Sequence, residues 1–122
     1  MNTARRVFFW AGVYGIVVLL PQYFLEAQVG LFYPPAITHP ENYYGFIGLG
    51  LAWQAAFIII STDVGRFRPL MLAAAAEKFL FVGSTLALIL AGRVAVQLSF
   101  FVTIDLLLGA LFVWGFRLSR PG

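Results

Sequence analysis

The 122-residue chain has no cysteine, one histidine and one lysine, and only 11% of its residues are charged. Without cysteine there are no disulfides, no thiol nucleophile and no cysteine-ligated iron–sulfur cluster. The lone histidine, His39, leaves a zinc or haem site short of nitrogen ligands, so no metal and no cofactor are expected. No nucleophile–base–orienter triad and no phosphate-cradling loop stands out, so no catalytic residue is expected. Gly45-Phe46-Ile47-Gly48-Leu49-Gly50 has the wrong glycine order for such a loop and follows no strand, so helix packing explains it.

What is abundant is apolar surface. Hydrophobic residues make up 61% of the chain, mean hydropathy is +0.90, and an ordinary soluble domain is excluded. Four apolar stretches, Val7–Leu25, Tyr43–Ser61, Leu70–Leu90 and Val94–Phe116, each approach the ~20 residues a helix needs to cross a bilayer. The expected fold is all-α: an integral membrane four-helix bundle, one domain over residues 1–122. Arg5, Arg6, Arg66, Arg68, Arg117 and Arg120 fall on the side shared by the termini, and only Arg93 on the other. The positive-inside rule then puts both termini in the cytoplasm. A pI near 9.7 would suit a nucleic-acid partner, but the arginines sit singly or in pairs at span ends, where snorkelling to headgroups explains them. Nucleic-acid binding is not expected.

Ala4-Arg5-Arg6-Val7-Phe8-Phe9 has the look of an export signal, yet the apolar run is long and no small-residue cleavage site follows Pro21. A retained first helix is expected. Ala27–Asn42 reads as the one sizeable loop; it carries no Lys or Arg and suits a flap on the bundle or in the headgroup layer. Thr38-His39-Pro40-Glu41 matches a capping box, with Thr38 as cap and the second helix starting near His39. Gly45, Gly48, Gly50, Ala52, Ala55 and Ala56, and then Ala73–Ala76, are small-residue surfaces that let helices approach. Thr62–Pro69 is a tight turn, and the short hairpin Ala91-Gly92-Arg93 makes spans three and four antiparallel neighbours. No internal repeat is apparent.

Three ionisable side chains lie well inside the spans: Glu77, Lys78 and Asp105. The first two are ~12 Å past Pro69 at ~1.5 Å per residue, and Asp105 approaches the same depth from the other side. Each costs at least ~2.5–3.5 kcal/mol at a helix centre, so they should turn inward and pair. Lys78 with Asp105 is the expected ion pair, leaving Glu77 to Gln54 or Ser84. The cluster either fixes helix register or binds a proton or ligand. A second constellation gathers at the outer mouth: Gln22, Glu26, His39 and Glu41 beneath Tyr23, Tyr33 and Tyr43. A carboxylate near an imidazole there could hold a cationic amphiphile or a metal, or shuttle a proton. Trp10, Trp53 and Trp114 read as bilayer anchors.

Pro21-Gln22-Tyr23-Phe24-Leu25-Glu26, Trp53-Gln54 and the proline-led third span resemble small uncharacterised bacterial four-helix inner-membrane proteins. The same residues resemble the EXPERA group of sigma-2-receptor-like proteins and sterol isomerases. That resemblance implies four spans, cytoplasmic termini, Glu26 as a ligand-facing acid and Gln54 as a second-span contact. Gly50 stands where the group has a second acid, so isomerisation does not carry over. The expected function is non-enzymatic binding of an apolar or cationic-amphiphilic small molecule or lipid within the bundle, in a bacterial cytoplasmic membrane. Glu26, His39 and Gln22 would be outer contacts, and Gln54, Glu77 and Asp105 deep ones. The rivals are an accessory subunit packing against partner helices or another copy of itself, a proton-coupled transporter, and an EXPERA-like isomerase.

Overall fold

The computed structural model describes residues 2–120, which are almost entirely helical, with no strand among them. The helices are α1 (Asn2–Leu19), α2 (Glu26–Phe32), α3 (Pro40–Thr62), α4 (Leu70–Leu90) and α5 (Ser99–Leu118), with 3₁₀ turns at Leu20–Phe24 and Val96–Leu98. Four helical segments, Asn2–Phe24, Pro40–Thr62, Leu70–Leu90 and Val96–Leu118, are long and apolar enough to cross a membrane. This is a multi-pass membrane protein by that measure.

The fifth, short helix is a departure from the sequence reading, which gave Ala27–Asn42 to a loop. Leu25 and Val29 carbonyls accept from the Val29 and Tyr33 amides at 2.8 Å each, closing two successive helical turns. Pro34 and Pro35 follow at once and stop the helix, since neither can donate the next amide bond. Pro21, likewise without an N–H, stands in the turn that tightens the end of α1.

The capping box is not formed. His39, not Thr38, occupies the N-cap of α3, and no side chain caps it. Pro40 already fills the first helical position, so Thr38 stands one residue too early, while Glu41 turns to His39. The far link is also longer than three residues: α4 ends at Leu90, Gly92 takes a positive φ of 71°, and α5 begins only at Ser99.

Packing follows two close pairs, α1 with α3 and α4 with α5, joined mainly by α1 against α5. α3 and α4, although consecutive, touch little. Glycine explains the first pair. A Cβ at Gly12 would sit 2.6 Å from Ile58 Cγ1 and 2.7 Å from the Gln54 carbonyl oxygen, so only hydrogen fits. In contrast, Gly45 and Gly83 face open space, and the close approach of α3 is made at Gly50 against Leu19. The core lies towards the end shared by the termini: Ala4, Phe8 and Ala11 meet Phe57, Ile60, Met71, Ala74 and Phe112. Phe8 stacks on Phe112 at 4.4 Å between centroids, and Phe57 meets Phe112 edge-on at 4.8 Å. Arg68 ties this end together, donating to the Phe116 carbonyl at 2.9 Å while its guanidinium lies 3.7 Å over the Phe116 ring. The hydroxyls of Ser61, Thr62, Thr103 and Ser119 donate to carbonyls of their own helices, as a chain in lipid requires.

Candidate functional site

The α4–α5 pair brings Lys78 and Asp105 to one level. Lys78 Nζ stands 3.4 Å from Asp105 Oδ1 and 3.7 Å from Glu77 Oε2, so one ammonium faces two carboxyl groups. Lys78 is only 4% exposed. Its ammonium lies 5.3 Å from the centre of the Phe57 ring, which closes the α3 side. Room for its stem comes from Gly109, one turn beyond Asp105, where a Cβ would approach Lys78 Cβ to 3.2 Å. Adjacent residues on a helix diverge by about 100°. Glu77 and Lys78 meet because both long side chains bend into the gap between helices.

Glu77 links this cluster to a groove. Its side chain lines a cavity of about 330 Å³ between α3 and α4, walled by Phe46 and Trp53 on one side and Leu80, Phe81 and Ser84 on the other. Phe46 and Phe81 stack across it, 6.2 Å between centroids. Glu77 is the one charged residue lining it. Its Oε2 is buried and makes no hydrogen bond. Trp53, read from the sequence as a bilayer anchor, is a groove wall that also packs on the core, 6.3 Å from the Phe57 ring.

Gln54 and Ser84 are not hydrogen-bonded to Glu77. Gln54 is buried at the α1–α3 contact over Gly15, where its Nε2 donates to the Gly50 carbonyl at 2.9 Å and its Oε1 has no partner. The buried Tyr14 hydroxyl is also unpartnered. Sequence reasoning missed Tyr14. Its signal was a phenol in mid-span, away from the interfacial belt where tyrosines gather. Each of the four long helices thus contributes a polar group to the interior.

The outer constellation divides in two. Tyr44 donates to Glu26 Oε1 at 2.8 Å, Tyr43 to the Gln22 carbonyl at 2.6 Å, and Gln22 Nε2 to the Val18 carbonyl at 3.0 Å. Tyr23 stacks on Tyr44 with centroids 6.0 Å apart. His39 and Glu41 form a separate, largely exposed pair, with Nδ1 3.2 Å from Oε1. Glu26 therefore answers to tyrosine, not to the imidazole, and lines a shallow hollow of about 320 Å³ with Gly30, Leu31, Ala36 and Ile37. Among the described residues, no three His, Asp or Glu side chains converge as a metal site would require.

Comparison with family models, with curated proteins and with solved structures found no match to this chain.

Proposed function

We propose that this multi-pass protein is a non-enzymatic receptor for a small amphiphile or lipid, held in the groove between α3 and α4. The carrying observation is Glu77: a carboxyl whose buried Oε2 meets only the Lys78 ammonium, 3.7 Å away and shared with Asp105, and whose side chain lines a groove with aromatic walls. A cationic headgroup would balance the excess carboxyl and gain from Phe46, Trp53 and Phe81, whose ring faces attract cations. An apolar tail would lie against Leu80 and out into the bilayer. The arginine distribution supports cytoplasmic termini, and the resemblance to small bacterial four-helix proteins supports a bacterial cytoplasmic membrane.

Native mass spectrometry with lipid analysis, on wild type, Glu77→Gln and Glu26→Gln in nanodiscs, tests this reading. A stoichiometric amphiphile is expected in wild type and Glu26→Gln and lost from Glu77→Gln. Protein that flies empty in all three refutes it. A partner-subunit reading draws on the outward face of α4, where Ala73, Ala76, Gly83 and Ala87 are all exposed and Gly83 has nothing near it. A constant co-purifying protein in place of a ligand would favour that reading.

A further inference from the structure

The segment between α1 and α3 has its polarity inside out. Glu26, its acid, turns inward to Tyr44, whereas Phe24, Leu31 and Phe32 are 81%, 82% and 72% exposed. In water, three such side chains on so short a stretch would be strongly unfavourable. The segment is also tied at both ends. It is anchored at its start by the Glu26–Tyr44 bond to α3, and at its end Tyr33 packs against Phe101 of α5, 6.1 Å between ring centroids. α2 packs on the turn before it and, at Gly30, against Ala36 and Ile37, which leaves the face bearing Leu31 and Phe32 exposed. That face continues the outward surface of α1: Val17, Leu20 and Phe24 are exposed at helical spacing along the first span and lead directly to Leu31 and Phe32.

We infer that residues 25–33, which follow the first span, form an in-plane anchor in the interfacial layer of the leaflet opposite the arginine-rich end, with Leu31, Phe32 and, at the end of that span, Phe24 directed into the acyl boundary. The partner is the lipid that already covers the spans. Interfacial helices commonly add Lys or Arg for anionic headgroups. This one has none between Ala27 and Asn42, so apolar burial alone seats it, and headgroup charge should make no difference.

The cysteine-free chain allows single nitroxide labels at Phe24→Cys, Leu31→Cys and Phe32→Cys, read in full-length protein in nanodiscs. The nanodiscs are made of phosphatidylcholine alone or of phosphatidylcholine with phosphatidylglycerol. Collision with oxygen reports lipid, and collision with a water-soluble nickel complex reports water. Leu107→Cys, exposed in mid-span, and Arg93→Cys, exposed in the far link, give the two limits. Labels at Leu31 and Phe32 are expected to fall between the two limits, clearly richer in oxygen and poorer in nickel collisions than Arg93, equally in both lipids. Nickel collisions at the Arg93 level would overturn the inference, as would shielding from both reagents, which would mean that protein covers the face. Three independent positions keep the test decisive if one label disturbs the fold.

Discussion

Replacing Gly12 with alanine adds one methyl group to a contact that has no room for it. The new Cβ would lie 2.7 Å from the Gln54 carbonyl oxygen, and ordinary contact begins at 3.4 Å, so α1 and α3 must part by about 0.7 Å. A gap of that size forfeits roughly a quarter to a half of the dispersion energy of each contact it opens. Overpacking of this kind costs about 1–3 kcal/mol, while alanine in place of glycine returns about 1 kcal/mol in helix propensity. A net loss of about 0–2 kcal/mol follows for Gly12→Ala. Gly83→Ala meets nothing within 4 Å and keeps only the propensity gain, about 0.5–1 kcal/mol of added stability. The two variants should therefore move in opposite directions in reversible unfolding by sodium dodecyl sulfate from mild-detergent micelles, followed by tryptophan fluorescence. Gly15→Ala supplies the internal check. Its Cβ would collide with the Gln54 side chain at 1.9–2.5 Å, so adding Gln54→Ala should relieve Gly15→Ala but not Gly12→Ala, whose clash is with the Ile58 side chain and the Gln54 backbone carbonyl. A Gly12→Ala protein as stable as Gly83→Ala would refute the reasoning.

In the same assay, Lys78→Met should lose about 3–5 kcal/mol, because it strands Asp105 and Glu77 without their ammonium. The double variant Lys78→Met/Asp105→Leu should recover part of that loss, and a single variant no weaker than the double would show that the cluster is not a paired unit. Gly92→Ala should lose about 1–2 kcal/mol from backbone strain at φ 71°, although space around it is open, and an unchanged midpoint would contradict the left-handed geometry of the link.

Much of the architecture could be read from hydropathy, because a span needs only length and apolar composition, and both are local properties. The shared depth of Lys78 and Asp105 was equally accessible, since a short link makes α4 and α5 neighbours and rise per residue does the rest. Which glycines make contact was not accessible. Gly45 and Gly12 are the same residue type in similar helices, and only the rotation of each helix decides that one faces Ile58 and the other faces nothing. The separation of α3 from α4 was hidden for the same reason: a tight turn enforces proximity at one end and says nothing about the faces further along. Thr38 misled because the box pattern put the cap there, whereas Pro40 fills the first helical position and so puts His39 at the cap. At the outer mouth, Glu26 and His39 fell close in sequence pattern, but Tyr44, one helical turn into α3, reaches the acid first.

The pairing of α1 with α3 and of α4 with α5 also sorts the molecule's contacts by their order of synthesis. A chain grown as far as Ser61 already contains both sides of the Gly12–Ile58 and Gly50–Leu19 contacts. The costly charges at Glu77 and Lys78 come next, and Asp105 follows them 27 residues after Lys78 within the same hairpin. Their ion pairing lies within that hairpin, and Phe57 of the second span is already made when it forms. The Phe8–Phe112 stack joins α1 to α5, so this aromatic centre is a clasp that closes only once the fourth span has been made.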